Sequence, residues 1–237
     1  GYGSARAVTA RPRVLERTLP LERGARPLPT TVWFPAELGG RHPVILFSHG
    51  LGGLPEQFAP LAEQWAAAGY LVAAPVYPQT NGRGQVNARD VRNQPADAAY
   101  VLDRVLALDD VAGDVFAGHV DTGRVAAVGF SAGGTTTLGM LHAGHHPALR
   151  AAVSIAGRRP LPAFGGPATP LLFLHGDRDR VVPIKAGRDA FAAVPWPKRF
   201  ETMIGRGHGE YLDPGNPAYP YASSLILDFL ATHVPVR

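Results

Sequence analysis

The chain has 237 residues, of which 46% are hydrophobic and 18% are charged. Disordered chains combine few apolar residues with much charge, so this composition indicates a folded protein with a sizeable core. The absence of cysteine excludes disulfides, thiolate zinc sites, iron–sulfur clusters and cysteine nucleophiles.

The formal net charge of +4 comes from arginines that are scattered along the whole chain. They form no basic run and do not interleave with aromatic residues, so we expect no nucleic-acid partner. No apolar run reaches the about 20 residues that span a bilayer, and we expect no membrane span. The chain begins with Gly1 rather than methionine. That start fits cleavage of a signal peptide as well as residues left from an expression tag, and we favour secretion over a cytoplasmic location. Residues 1–11 are expected to form a loose N-terminal segment.

Short apolar runs alternate with longer segments of helical spacing. Strands are predicted at Val14–Leu21, Thr31–Phe34, Val44–Ser48, Leu71–Ala74, Arg124–Phe130, Ala151–Ile155, Leu171–Leu174 and Arg199–Ile204, the first two as an antiparallel pair. Helices are predicted at Gln57–Ala68, Pro95–Leu108, from Ser131 to about His142, Lys185–Val194 and Tyr219–His233. This alternation indicates an α/β fold whose mostly parallel central sheet has helices on both faces. No linker or composition break appears, so residues 1–237 are predicted to form a single domain.

A G-x-S-x-G motif occupies Gly129–Gly133, between a predicted strand and a predicted helix. In this context the serine sits on a sharp turn that exposes its hydroxyl as a nucleophile. Side chains two residues before or after that serine would collide, so glycine is required at both positions. Ser131 is therefore the predicted nucleophile, and the alternative is a tight turn whose serine only caps the helix.

A serine hydroxyl needs a neighbouring base, and the base needs an acid that orients it. On this motif the order along the chain is serine, acid, histidine. Only His208 and His233 follow the last plausible acid loop, and His233 lies in the terminal helix, so His208 is the predicted base. Asp177 and Asp179 share one loop after a strand, and the residues alone do not choose between them.

Acyl transfer also needs amide donors for the tetrahedral oxyanion. The Ala132 amide directly follows the nucleophile, and the Leu51 amide lies in a glycine-rich loop after an earlier strand, with Gly50 as the alternative donor. Residues 156–170 leave no room for a helical lid, which predicts an open cleft. Its apolar lining is expected from Leu51, Leu54, Phe58, Phe164 and Tyr211.

Two histidines four residues apart, His142 and His146, have a spacing that can place both imidazoles on one helix face. No acidic partner follows at the required spacing, and Gly144 and Pro147 indicate that a helix ends there. We therefore predict no metal site and no cofactor.

Together, these residues resemble the α/β-hydrolase family from about Val14 to His233. Within it, the chain is most similar to the compact group of dienelactone hydrolases, platelet-activating-factor acetylhydrolases, chlorophyllases and cutinase-type polyester hydrolases. Residues 43–53 resemble that group's oxyanion segment, and residues 94–108 resemble its helix before the nucleophile strand. Such relatives use the aspartate four residues before the proline of a D-x-x-V/A-P segment. The resemblance therefore favours Asp179, which precedes Pro183 by four residues.

The chain also departs from these relatives. Polyester hydrolases of this group carry a tryptophan in the loop after the strand that follows the nucleophile, and residues 156–160 contain none. The C-terminal disulfide of bacterial members is impossible here. The nucleophile is a serine rather than the cysteine of dienelactone hydrolases, so dienelactone is not the expected substrate.

The predicted function is hydrolysis of short- to medium-chain carboxylic esters through an acyl-enzyme, by a monomer that acts on a small-molecule or polymeric ester. The first alternative keeps the same three residues in a cutinase-type polyester hydrolase or a peptidase. A catalytically inactive binding scaffold is the remaining alternative.

Overall fold

The computed structural model describes residues 12–237, so the loose segment predicted at residues 1–11 lies outside the described residues. Its strands are β1 (Val14–Arg23), β2 (Arg26–Pro35), β3 (His42–Ser48), β4 (Leu71–Pro75), β5 (Val120–Phe130), β6 (Leu149–Ile155), β7 (Leu171–Gly176) and β8 (Lys198–Met203). Its α-helices are α1 (Ala59–Ala67), α2 (Gln94–Ala107), α3 (Ala132–Gly139), α4 (Ile184–Ala193) and α5 (Tyr219–His233). Short 3₁₀ turns, among them residues 88–93 before α2, connect several of these elements.

The eight strands form one sheet in the order β1-β2-β4-β3-β5-β6-β7-β8. Strands β3 to β8 pair in parallel, whereas β1 pairs antiparallel with β2 and β2 pairs antiparallel with β4. The antiparallel opening pair is thus confirmed. It extends past the predicted ends to a two-residue turn in which Gly24 adopts a φ of +58°.

Helices cover both faces of the sheet, and this explains the long apolar runs of its central strands. Helices α1 and α5 pack on one face through residues such as Trp65 and Ile226. Helices α2, α3 and α4 pack on the other face through Val101, Leu138 and Ala190. Because both faces of β3, β4 and β7 are buried, every residue of these strands is buried, as parallel strands in such folds require. The architecture is an α/β-hydrolase fold, as predicted.

Helix α3 is shorter than predicted, because it ends at Gly139 rather than near His142. Beyond it, His142 forms an isolated bridge with Phe164, and Gly144 turns the chain with a φ of +77°. His142 and His146 therefore do not share a helix face. In the described part of the chain, no helix is both long and apolar enough to cross a membrane.

The strand register aligns the carboxyl ends of three neighbouring strands. Ser48 of β3 pairs with Gly129 of β5, and Phe130 of β5 pairs with Ile155 of β6. Ligands of open α/β sheets bind beyond such carboxyl ends. The loops that follow β3, β5 and β6 therefore meet at one rim of the sheet, and the candidate site lies there.

Candidate functional site

The turn between β5 and α3 holds Ser131 in a strained conformation. Its φ is +56° and its ψ is −120°, in the region that favours glycine. The Ser131 amide donates a 2.7 Å hydrogen bond to the carbonyl of Ile155, which ties the turn to the end of β6. Among residues 12–237, the Ser131 hydroxyl has no hydrogen-bond partner. The fold thus holds a strained serine at the rim with its hydroxyl uncommitted.

Close packing explains the two glycines of the motif. A Cβ at Gly129 would lie 2.0 Å from the carbonyl oxygen of Gly133. A Cβ at Gly133 would lie 1.9 Å from the carbonyl oxygen of Ser48. Both distances are far shorter than any contact between such atoms, so the predicted steric reason for glycine at these positions is confirmed. The second distance also shows that the start of α3 lies directly against the end of β3.

The imidazole of His208, in the loop between β8 and α5, donates from Nδ1 to Oδ2 of Asp179 over 2.7 Å. The other carboxylate oxygen, Oδ1, accepts the amides of Val181 and Val182, each at 2.8 Å. Asp177 instead accepts the Gly205 amide at 2.7 Å. Of the two aspartates that the residues alone left open, the structure places Asp179 against His208.

The Asp179 carboxylate is an anion at neutral pH although its side chain is completely buried. Burial alone would raise its pKa. The hydrogen bonds from His208, Val182 and Val181 stabilise the charged form more, so the pKa of Asp179 lies below the ordinary aspartate value. The carboxylate is therefore a fixed negative charge beside the imidazole.

Phe130, which sequence reasoning did not select, forms the surface beneath His208. Its ring centroid lies 4.9 Å from that of His208 and 5.8 Å from that of Phe58. A Cβ at Gly209, where φ is +76°, would lie 2.3 Å from the Phe130 ring. Phe130 directly precedes Ser131, so this contact holds the histidine loop on the serine turn. Its position inside the G-x-S-x-G motif was the only signal available in the sequence.

The loop after β3 lies directly against the serine turn. A Cβ at Gly50 would lie 3.2 Å from the Cβ of Ser131 and 3.2 Å from the Phe130 carbonyl oxygen. The Gly52 amide donates to the Thr80 carbonyl and the Gly53 amide to the Gly50 carbonyl. The Leu51 amide has no acceptor among residues 12–237. The Ala132 amide is in the first turn of α3, where no preceding helical carbonyl is available.

His49, together with the Gly53 amide, holds the peptide that joins Gly50 to Leu51. Its Nε2 accepts the Tyr77 amide at 3.0 Å, so its proton lies on Nδ1, which donates to the Gly50 carbonyl at 2.7 Å. The carbonyl of Gly50 and the amide of Leu51 belong to one planar trans peptide and point in opposite directions. Holding the carbonyl inward therefore turns the Leu51 amide outward. Sequence reasoning did not select His49 as a site residue.

His175 supports the loop of Asp179 in a similar way. It is buried at the end of β7, and its Nε2 donates to the Val182 carbonyl at 2.7 Å. A Cβ at Gly187 of α4 would lie 2.4 Å from Nδ1 of this imidazole, so the ring fills the space between β7 and α4. The contact holds the backbone whose amides bind Asp179.

Because His49 and His175 are buried and neutral, stability is expected to fall in mild acid. Burial lowers the pKa of both imidazoles, against the backbone hydrogen bonds that raise it. Below the ordinary histidine pKa of about 6.5, the unfolded chain binds protons that the folded chain does not. The free energy of unfolding should therefore decrease as the pH falls from about 6.5, by up to about 1.4 kcal/mol per pH unit for each group. Urea unfolding at a series of pH values measures this slope. The control is a His49→Gln, His175→Gln double variant. If its free energy of unfolding changes with pH between 6.5 and 5 as steeply as that of the unsubstituted protein, these two histidines are not the cause.

The expected apolar lining is only partly present at the rim. Leu51 is 47% exposed, and Leu54 and Phe58 are half-buried beside it. Tyr211 is completely buried in the core with α1 and α5, so its prediction as a substrate contact is wrong. The prediction for Phe164 is wrong as well. It bridges His142 beyond the far end of α3 and packs against Trp196, away from the serine turn.

Residues 156–170 contain no helix, so no helical lid covers the rim here. Within residues 12–237, no three histidine, aspartate or glutamate side chains are grouped so that they could share a metal ion. The chemistry that the rim offers is therefore that of a serine, an imidazole, a carboxylate and backbone amides.

A family model described as PET hydrolase-like matches residues 24–197, which is more than half of the chain. The matched part runs from the turn after β1 to the loop after α4 and contains Ser131 and Asp179, whereas His208 follows it. A search of curated proteins found no match. On the extent of the family match and the topology of its sheet, the chain belongs to the PET hydrolase-like family and is an ester hydrolase with an α/β-hydrolase fold.

Proposed function

We propose that the chain is a serine carboxylesterase that hydrolyses carboxylic esters of short to medium chain length. Ser131 is the nucleophile, His208 the general base and Asp179 the acid that orients it. The observation that carries this proposal is the 2.7 Å hydrogen bond from Nδ1 of His208 to Asp179. With its proton on Nδ1, the imidazole keeps Nε2 free to accept a proton from a serine hydroxyl.

In the first half-reaction, the Ser131 oxygen attacks the ester carbonyl carbon and its proton moves to Nε2 of His208. Hydrogen bonds between such pairs often reach their catalytic length only in the substrate complex, which fits the uncommitted hydroxyl of Ser131. The negative charge that develops on the carbonyl oxygen is bound by the Leu51 and Ala132 amides. The tetrahedral intermediate then expels the alcohol, which takes the proton from His208, and an acyl-serine remains.

In the second half-reaction, His208 removes a proton from water, which attacks the acyl carbon. The same two amides bind the second oxyanion. Collapse of this intermediate releases the carboxylic acid and returns the proton to Ser131. Asp179 stays ionised throughout and stabilises the imidazolium, a role that its depressed pKa supports.

The family match favours a second candidate, a polyester hydrolase, because the matching family is described by polyester substrates. A rim without a helical lid and with an exposed Leu51 would admit a polymer chain. A peptidase with the same three residues has no observation in its favour beyond the shared chemistry.

Covalent trapping tests the proposal directly. A fluorophosphonate should add one phosphonyl group to the peptide that carries Ser131 and abolish turnover of 4-nitrophenyl butyrate in parallel. Parallel assays with that ester, a peptide 4-nitroanilide and a polyester film separate the three candidates. Labelling at another residue with loss of activity, or an absence of ester turnover, would overturn the proposal.

A further inference from the structure

A groove of about 420 Å³ lies at the rim beside the serine turn. It is built by the 3₁₀ turn before α2, the first turn of α3 and the loop after β6. We refer to it as the arginine groove, because three arginines contribute to its lining. Its lining includes Arg89, Arg92, Thr135, Arg159, Pro160 and Leu161.

The arginines of this groove have no carboxylate partners. Within residues 12–237, none of Arg89, Arg92 and Arg159 forms an ion pair. Asp90 lies between two of them in the sequence, but it is buried and paired with Arg26 at 2.6 Å. The lining of the groove contains no acidic side chain. A second groove on the other side of Arg159 is different, because it contains Asp189. The positive charge of the arginine groove is thus uncompensated by protein groups.

The groove begins one helical turn from the nucleophile. The Thr135 amide donates to the Ser131 carbonyl at 3.1 Å, and the Thr135 hydroxyl accepts the Arg158 amide at 2.9 Å. One turn of helix corresponds to about 5.4 Å. A substrate whose ester carbonyl reached Ser131 would therefore extend into the groove over a few bonds.

The loop that carries Arg159 has a backbone held by close packing and a hydrogen bond. Ala156, at its start, holds a φ of +55°, and its amide donates to the Leu174 carbonyl at 2.8 Å. A Cβ at Gly157 would lie 2.5 Å from the Ser154 hydroxyl. A non-glycine residue keeps such a conformation only where its surroundings enforce it. The loop therefore presents Arg159 from a fixed backbone.

We propose that the arginine groove binds a carboxylate on the substrate, so that this hydrolase prefers esters that carry a free carboxylate. Half-esters of dicarboxylic acids and the carboxyl-terminated ends of ester oligomers have this chemistry. Arginine binds carboxylates through paired N–H donors. Pro160 and Leu161, the latter 83% exposed, offer an apolar wall for the hydrocarbon between the ester and the carboxylate. This inference rests on the proposed function, since it takes Ser131 as the reacting group.

Matched pairs of esters test the groove. Mono-4-nitrophenyl adipate and 4-nitrophenyl methyl adipate differ at the end of the acyl part, where the first has a free carboxylate and the second its neutral methyl ester. 4-Acetoxybenzoate and its methyl ester differ in the same way in the alcohol part. The measured quantity is the ratio of kcat/KM for the anionic ester to that for its neutral partner. Because intrinsic reactivity cancels when one ratio is compared between variants, a change in it reports binding of the carboxylate.

In at least one of the two pairs, Arg159→Gln and Arg92→Gln are each expected to lower this ratio about five-fold, which corresponds to about 1 kcal/mol. The ratio of the unsubstituted protein should also fall between low and high salt, because exposed charges are screened. Arg104→Gln is the matched control. Arg104 is exposed on α2, ten residues beyond Gln94 and outside the lining of the groove, so its substitution removes one charge and should leave both ratios unchanged.

If the neutral esters are turned over but neither ratio changes in Arg159→Gln or Arg92→Gln, the groove does not bind the carboxylate. The proposed ester hydrolase would be unaffected by that result. If no ester is hydrolysed, the proposed function fails. Calorimetry with monomethyl adipate as the probe then tests whether the groove binds a carboxylate. Binding that weakens in Arg159→Gln but not in Arg104→Gln supports it, and no binding, or equal binding in all three proteins, overturns it.

Discussion

If Ser131 is the nucleophile, as proposed, its replacement by alanine is expected to lower kcat/KM for 4-nitrophenyl butyrate by roughly 10⁶-fold, as loss of the nucleophile does in subtilisin. The remaining activity would come from the oxyanion donors and from substrate binding alone. The Ser131 hydroxyl has no hydrogen-bond partner among the described residues, so its removal leaves no buried polar group unsatisfied. The variant should therefore unfold at nearly the same temperature as the unsubstituted protein.

Steady-state kinetics and a thermal melt measure both effects. Ser224→Ala is the matched control, because Ser224 is exposed on α5, on the face of the sheet that α1 shares. It should retain full turnover and the same melting temperature. Ester turnover at the normal rate by a folded Ser131→Ala protein would exclude Ser131 as the nucleophile.

Replacement of Asp179 by asparagine is expected to lower kcat roughly 10⁴-fold. The carboxamide oxygen would continue to accept the amides of Val181 and Val182, because those two donors require an acceptor. The NH₂ group would then face Nδ1 of His208, where it can only donate. The imidazole would be driven to carry its proton on Nε2 and could no longer take the proton of Ser131. The loss is thus one of charge and tautomer rather than of folding.

Asp177→Asn is the matched control in the same loop. Asp177 accepts the Gly205 amide, an interaction that an asparagine oxygen can also make. We expect kcat to change by no more than a few-fold. A pH–rate profile together with kcat and KM for both variants measures the difference. Similar losses in the two variants would show that the loop, rather than the Asp179 charge, supports the activity.

Much of the fold could be predicted because its elements leave local signals. The parallel strands contain continuous apolar runs such as residues 125–128 and 171–174, and α5 has the bounds that its spacing predicts, Tyr219–His233. The predicted bounds of β1 and β2 were too short, because β1 continues to Arg23 and β2 already begins at Arg26, before Pro27 and Pro29. The antiparallel pairing carries the chain through both prolines, and that pairing is a long-range property.

The prediction of the substrate-lining residues was limited in the same way, because it too depends on contacts between distant segments. Phe164 and Tyr211 lie in loops that follow strands, and the sequence offers no means to separate a rim residue from a core residue there. Tyr211 turns inward into the core with α5, and Phe164 packs beside Trp196. His49 and Phe130 were missed for the converse reason, since their contacts join segments far apart in the chain: His49 contacts Tyr77 after β4, and Phe130 at the end of β5 contacts His208 after β8.

The sequence by itself determined the sharp turn at Ser131, because Gly129, Ser131 and Gly133 are close together in the chain and their steric requirement is local. It also limited the candidate base to His208 and the candidate acid to two aspartates, because chain order restricts which loops can meet. Only the tertiary structure decided that Asp179, and not Asp177, contacts His208. Only the tertiary structure brought to one groove beside Ser131 three arginines that form no ion pair within residues 12–237. Both depend on distances between segments far apart in the chain, and those distances exist only once the sheet is assembled.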